Sequence, residues 1–318
     1  MTDQIKNYKI AVVIPYYNAD GHIAKVVDKL PDFVFKIYLI DDCSSQSITL
    51  QSLGKVNNVE KIKLITNTKN LGVGGASKAG FLMAIEDKMD FVVKVDADDQ
   101  MDSNYIKDLI NPLIQSQAEY AKGNRFRDFN ALKQMPFIRK LGNLILSFLT
   151  KAATGYWNNF DPTNGFFAVK VDVLKMLDFK NISDRYYFET SLISELYFQN
   201  ARIKDIAMPA IYGDEQSNMK VWKMPFVFFP KLCKTFYKRL LKTYFLYDFS
   251  MSSIYLLLGL PLFVFGVVYG LYNWWFYASH SILAPTGTIM LVTLSIILGF
   301  QLLLQAIHYD ILRAPKAD

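Results

Sequence analysis

Cysteine and histidine are scarce in this sequence. Its two cysteines, Cys43 and Cys233, lie far apart in unlike surroundings, and its three histidines, His22, His280 and His308, do not cluster. A disulfide framework and a Cys/His zinc pattern are therefore excluded. Charge is missing from one long stretch: no Asp, Glu, Lys or Arg occurs from Phe249 to Tyr309. A soluble domain rarely carries such a gap, so a membrane protein with a large water-soluble part is expected. The composition, 52% hydrophobic and 20% charged over 318 residues, excludes disorder, coiled coil and a collagen-like repeat. No internal repeat or low-complexity segment is evident. Polar Met1 to Lys9 runs straight into an apolar strand, which predicts no signal peptide.

The net charge of +6 is local in origin. Lys220, Lys223, Lys231, Lys234, Lys238, Arg239 and Lys242 fall between Gln216 and Tyr247 with no acid among them. The rest of the chain is nearly neutral, so a general nucleic-acid surface is excluded. A basic stretch just before an apolar span predicts contact with anionic membrane lipid, worth roughly 1 kcal/mol per Lys or Arg. The alternative is a solvated helix face that doubles as a positive-inside signal.

Residues 9–95 alternate between short apolar runs and helical spacing. The runs are Lys9–Ile14, Lys36–Ile40, Lys61–Ile65 and Phe91–Val95, with helices expected over Gly21–Leu30 and Ala76–Lys88. Such alternation predicts βαβ units and an α/β fold with a mostly parallel sheet. Ligands of these sheets sit beyond the carboxyl ends of the strands. Three polar clusters fall there: Tyr17-Asn18, Asp41-Asp42 and Asp96-Ala97-Asp98. A helix is expected over 103–115 and strands over 119–123 and 203–208. Residues 131–153 and 225–247 read as amphipathic basic helices, the second placed at a membrane interface and the first either there or packed.

Two spans are expected, about 251–276 and 286–308, each longer than the ~20 residues that cross ~30 Å of hydrocarbon. Tyr272, Trp274, Trp275 and Tyr277 fit an aromatic belt, and basic residues flank the pair but not its linking loop. Both termini are thus expected in the cytoplasm. The expected organisation is a cytoplasmic catalytic domain 1–224, a basic juxtamembrane segment 225–248, and two transmembrane helices with a short cytoplasmic tail over 249–318.

Two carboxylates one residue apart at a strand end, Asp96 and Asp98, can reach one hard cation such as Mg2+ or Mn2+. The alternative is an acidic turn leading into a helix capped by Asp102 or Ser103. Asp41-Asp42 can accept from a ribose or base edge, or simply form a turn with Cys43-Ser44-Ser45. Asn70-Leu71-Gly72-Val73-Gly74-Gly75 precedes a helix but is neither a P-loop nor a dinucleotide fingerprint.

Taken in order, Ile14-Pro15-Tyr16-Tyr17-Asn18, Asp41-Asp42-x-Ser44, Asn70-x-Gly72-x-Gly74 and Asp96-x-Asp98 resemble the inverting glycosyltransferases of family 2, which have the GT-A fold. Further segments resemble dolichyl-phosphate mannose synthases and bacterial polyprenyl-phosphate glycosyltransferases within that family. They are Gly123-Asn124-Arg125-Phe126, Asp161-Pro162-Thr163-Asn164-Gly165-Phe166, Tyr187-Phe188-Glu189 and Gln216-Ser217-Asn218-Met219. The resemblance covers about residues 9–223.

The resemblance implies a donor nucleotide-sugar site at Pro15, Tyr17, Asp41, Asp42, Gly72 and Asp96. It implies a metal held by Asp96, Asp98 and Gln100, with Asp96 toward the sugar. It implies an acceptor phosphate on Arg125 and Arg139, and gives Asp98 and Asp161 the catalytic positions, Asp161 as a catalytic or acceptor-orienting carboxylate. Two positions depart from the family: Phe167 stands where Arg is usual, with Lys170 nearby, and Asn164 replaces Ser. The implied activity is transfer of one sugar from a nucleotide sugar, a UDP-sugar ahead of GDP-mannose, to a polyprenyl phosphate. A homo-oligomer is left open. A rival is a family 2 enzyme acting on a lipid-linked glycan or polysaccharide. The Gln-x-x-Arg-Trp motif of processive synthases is absent, since Val221 precedes Trp222. A non-catalytic scaffold is opposed by intact Asp42, Asp96, Asp98 and Arg125.

Overall fold

A computed structural model describes residues 2–19, 21–51, 53–54, 56–125, 137–159, 161, 164–209 and 224–317. Phe126, Pro162, Thr163, the Gln216–Met219 loop, Lys220, Lys223 and residues 131–136 of the expected amphipathic helix lie outside the described residues. The chain forms two compact units, Met1–Phe236 with Pro315–Asp318, and Tyr237–Ala314.

In the first unit, strands β1 (Ile10–Tyr16), β2 (Lys36–Asp41), β3 (Ile62–Thr66), β4 (Phe91–Lys94), β5 (Tyr120–Asn124), β6 (Phe167–Lys170) and β7 (Ile203–Ala207) make one sheet. Their order is β3-β2-β1-β4-β6-β5-β7. Only β6 runs antiparallel, against β4 and β5. The inner strands are apolar along their length because both sheet faces are covered.

One face packs α1 (Ile23–Asp28) and α3 (Ile106–Ile114) over Val12, Ile14, Leu39 and Val93. The other packs α2 (Val73–Glu86), α5 (Val171–Met176) and α6 (Phe188–Phe198) over Val13, Ile40, Val92 and Phe167. Each such fully buried Val, Leu, Ile or Phe is worth about 1.5–3 kcal/mol in transfer free energy. Close helix–sheet contact requires Gly80 on α2, where a Cβ would come within 2.4 Å of Val13 Cγ1.

The expected helix at 131–153 is observed as α4 (Phe137–Thr154). Leu144, Ile145 and Phe148 on it are exposed. Its inner side contributes Ala153, Leu146 and Leu149 to a small cluster with Tyr187, Phe228 and Leu232. Phe228 and Leu232 belong to α7 (Met224–Leu241), on which Val227 and Phe229 are exposed.

The second unit is a hairpin of α8 (Met251–Ser279) and α9 (Thr286–Arg313), both long and apolar enough to cross a membrane, with mean hydropathies of 2.2 and 2.1. Both run past the expected ends at 276 and 308. The helices approach closely through small residues: Gly266 lies against Ser295 and Ile296, and Gly299 against Phe263. Just outside the expected apolar stretch, Asp310 is buried and receives both terminal nitrogens of Arg239, at 2.6 and 2.9 Å. The Tyr244 hydroxyl donates to the same carboxylate. This corrects one expectation: Arg239 is fully buried and spent on Asp310, so it does not reach lipid. In the first unit, the Lys231 ammonium lies 5.7 Å from the centre of the Tyr187 ring.

Candidate active site

The carboxyl end of β4 runs into the turn Asp96–Gln100. Asp98 Oδ1 accepts the Gln100 N–H at 3.1 Å, and Asp96 donates its N–H to Met101 Sδ. Asp99, at φ 58°, turns away and pairs with Lys29 at 2.6 Å. That clamp leaves Asp96, Asp98 and Gln100 on one side of the turn. They line a cleft of about 120 Å³ whose other walls include Tyr105, Arg125, Asn164 and Gly165. Asp102 caps the following turn by accepting the Asn104 N–H, so the capping alternative is right for that residue as well.

Across the cleft, Arg125 follows β5. Its Nε and Nη2 donate to the two oxygens of Asp161 at 2.8 and 2.9 Å, a bidentate, charge-assisted pair. Asp161 is fully buried and held at φ 55°, a left-handed backbone that is uncommon outside glycine. Its carbonyl accepts from Lys122 Nζ at 2.9 Å, and Lys122 pairs with Asp205 at 3.2 Å. Asp205 also accepts from Asn124 and Asn159, both at 3.0 Å. Asp161 is thus locked at both ends, with its carboxylate aimed at the guanidinium.

The carboxyl ends of β1 and β2 carry a second group of expected residues. Asp42 is buried and accepts from Leu71 N, Gly72 N and Asn67 Nδ2, at 2.9, 2.6 and 2.8 Å. It therefore holds the loop that enters α2. Gly72, at φ 85°, sits where a Cβ would lie 2.8 Å from the Asp184 carbonyl. Asp41 Oδ1 accepts from Ser44 N at 2.9 Å, while its Oδ2 is buried without a hydrogen-bond partner. Tyr17 is exposed. Pro15 lies within β1, opposite Ile40. None of these five lines the cleft of Asp96, Asp98 and Arg125. Arg139 lies on α4; its side chain is outside what the structure describes.

Among the described residues, no three His, Cys, Asp or Glu side chains converge as a ready-made metal cage. Two carboxylates and an amide oxygen on one turn still suit a hard cation that draws its remaining ligands from phosphate oxygens and water. Asn164 Nδ2 is a buried donor without a partner, while its Oδ1 accepts the Phe166 N–H.

Lys94, Lys122 and Glu189 are the site residues to which the sequence reading gave no role. The first two could have been found: a lysine inside an apolar strand is almost never buried unless paired. Lys94 is 1% exposed and pairs with Asp96 Oδ1 at 2.5 Å and with Glu189 Oε1 at 3.7 Å. Burial pulls its ammonium down, but Asp96 and Glu189 outweigh that and hold it above the ordinary lysine value. Burial pushes the Glu189 carboxyl up, partly offset by Lys94. Phe167 sits opposite Lys94 on β4 and Lys122 on β5 and stacks on Tyr120. Lys170 is no substitute for the family arginine: it lies at the other end of β6, opposite Phe91 and beside Glu119.

The Glycosyl transferase family 2 profile matches residues 11–177, just over half the chain. The chain belongs to glycosyl transferase family 2. It is 32% identical to a UDP-N-acetylglucosamine–dolichyl-phosphate N-acetylglucosaminyltransferase of Methanococcus voltae over 190 residues, 56% of this chain and 75% of that one. It is 25% identical to a dolichol-phosphate mannosyltransferase of Pyrococcus furiosus over 210 residues, 64% of this chain and 56% of that one. The fold is shared with glucosyl-3-phosphoglycerate synthase of Mycobacterium tuberculosis in complex with Mn2+, UDP-glucose and phosphoglyceric acid. That likeness has a TM-score of 0.54 at 15% identity, covering 74% of this chain and 81% of that one. The family 2 chain thus has a GT-A-like, mostly parallel mixed sheet followed by a C-terminal helical hairpin.

Proposed function

We propose that this family 2 chain transfers one sugar, with inversion, from a nucleotide-sugar donor to a polyprenyl phosphate at the cytoplasmic face of a membrane. The observation that carries this reading is the pairing of opposites across one cleft: Asp96, Asp98 and Gln100 on one wall, Arg125 on the other. Relatives whose names specify dolichyl phosphate as acceptor support the choice of acceptor.

Asp98 and Gln100 would hold Mg2+ or Mn2+, with Asp96 toward the sugar; Asp96 Oδ1 is already taken by Lys94. A cation bound there would supply the positive charge that neutralises the leaving diphosphate. The ribose or base of the donor is assigned to the Asp41-Asp42 end of β2. Arg125, with Arg139, receives the acceptor phosphate, whose two charges suit a cationic fork. An acceptor phosphate oxygen attacks the anomeric carbon as the bond to the diphosphate breaks, which inverts the configuration. That oxygen is already anionic, so a strong general base is unnecessary. Both Asp161 oxygens face Arg125, so Asp161 orients the phosphate-binding arginine and takes no proton. The exposed apolar residues of α4 and the first turns of α7 sit at the lipid headgroups, the hairpin crosses the bilayer, and both termini are cytoplasmic. A UDP-sugar is the preferred donor.

Arg125→Ala should raise the acceptor KM about 10- to 100-fold, the weight of one charge-assisted hydrogen-bonding group, with donor KM unchanged. Arg125→Lys, which keeps a cation beside buried Asp161, should recover part of that loss. Steady-state kinetics with each substrate varied separately checks this; a defect confined to the donor contradicts the placement of Arg125. Mass spectrometry of the lipid product tests the reading as a whole. One sugar added to polyprenyl phosphate supports it, and extension only of a lipid-linked glycan favours the rival acceptor.

A further inference from the structure

Lys94 is a buried charge that the transfer chemistry above does not use, and the inference drawn from it rests on that reading. It ends β4, two residues before Asp96, and its ammonium is the buried cation between two carboxylates. The contact to Asp96 is the closer, 2.5 against 3.7 Å, so Glu189 backs the ammonium rather than owning it. Glu189 stands on the first turn of α6. Gly165 closes over all three. A Cβ there would lie 2.5 Å from Lys94 Nζ, 2.9 Å from Asp96 Oδ2 and 3.4 Å from Glu189 Oε1. Gly165 therefore rests directly on the cluster, and both Gly165 and Asp96 line the cleft.

We propose that Lys94 is a positioning residue for the donor side of the cleft. It ties Asp96 Oδ1 to the sheet and leaves Oδ2 on the Gly165 side. It also offsets the negative charge that Asp96, Asp98 and Glu189 present to an incoming diphosphate. A site that binds an anionic donor with three nearby carboxylates needs such a counter-charge, because repulsion between like charges grows as water is excluded. Carboxylates that hold a metal or a donor are oriented by partners of this kind, and losing one typically lowers affinity about 10- to 100-fold.

The test uses full-length protein in detergent carrying Lys94→Met, Glu189→Gln, or both, with UDP, GDP and Mn2+ as probes. Calorimetry reads Mn2+-dependent UDP affinity, and thermal unfolding reads the fold. Lys94→Met is expected to weaken UDP binding about 10- to 100-fold. It should also lower Tm, because Glu189 loses its counter-ion. The double variant removes both buried charges, so it should regain Tm yet keep weak UDP binding. A double variant that regains both Tm and wild-type UDP affinity would mean that Lys94 only neutralises Glu189, and overturns the inference alone. Wild-type protein that binds neither UDP nor GDP in the presence of Mn2+ overturns the transferase reading and this inference together.

Discussion

Asp98→Ala is expected to lose turnover by on the order of 10³-fold, because several kcal/mol of charge stabilisation on the leaving diphosphate disappear with the metal. Asp98 is half-buried on a turn already held by the Lys29–Asp99 pair and by the cap at Asp102. The fold should therefore survive, with a loss of about 1 kcal/mol for the hydrogen bond that Asp98 accepts from Gln100. A transfer assay alongside circular dichroism separates the two effects. Near-normal turnover in a folded Asp98→Ala protein sinks the metal assignment.

The second large effect is on stability. Asp310→Ala takes the bidentate carboxylate from the buried Arg239 and removes the acceptor of the Tyr244 hydroxyl. Breaking a buried pair from one side costs about 3–5 kcal/mol. A purified variant should show a lower Tm in detergent and a reduced folded yield. The double variant Arg239→Met/Asp310→Leu should regain most of the loss, since an apolar replacement of a buried pair is often neutral. An Asp310→Ala protein as stable as wild type would show that Arg239 reaches water or lipid, as the basic run in the sequence first suggested.

Why that run misled is physical. A cluster of lysines and arginines reads as one solvated face, and nothing local marks one member as paired. The partner of Arg239 lies 71 residues away, in the last turns of the second apolar helix. The parallel strands were legible because Val12, Leu39 and Val93 belong to apolar runs closed by polar residues, a signal that is local. Antiparallel β6 was not, being four residues long and following directly on the Gly165-Phe166 segment.

The candidate site divides in the same way. Asp96, Asp98, Gln100 and Arg125 were named from their motifs, and they do meet at one cleft. The motif at Asp42 said nothing of its partners, which are the backbone amides of Leu71 and Gly72. Lys94 escaped notice because a single lysine inside the apolar run Phe91–Val95 carries no motif, although its burial makes it an anomaly. Asp161 was placed at the acceptor end as a catalytic or acceptor-orienting carboxylate, and the motif said nothing of the three hydrogen bonds it accepts from Arg125.

The most direct measurement is sugar transfer by the purified full-length chain to undecaprenyl phosphate with Mg2+ or Mn2+, across a panel of labelled nucleotide sugars. Labelled lipid should form with one donor, a UDP-sugar, and be lost when EDTA is added. Donor binding without lipid product from any nucleotide sugar would contradict the account and move the acceptor to a lipid-linked glycan or polysaccharide.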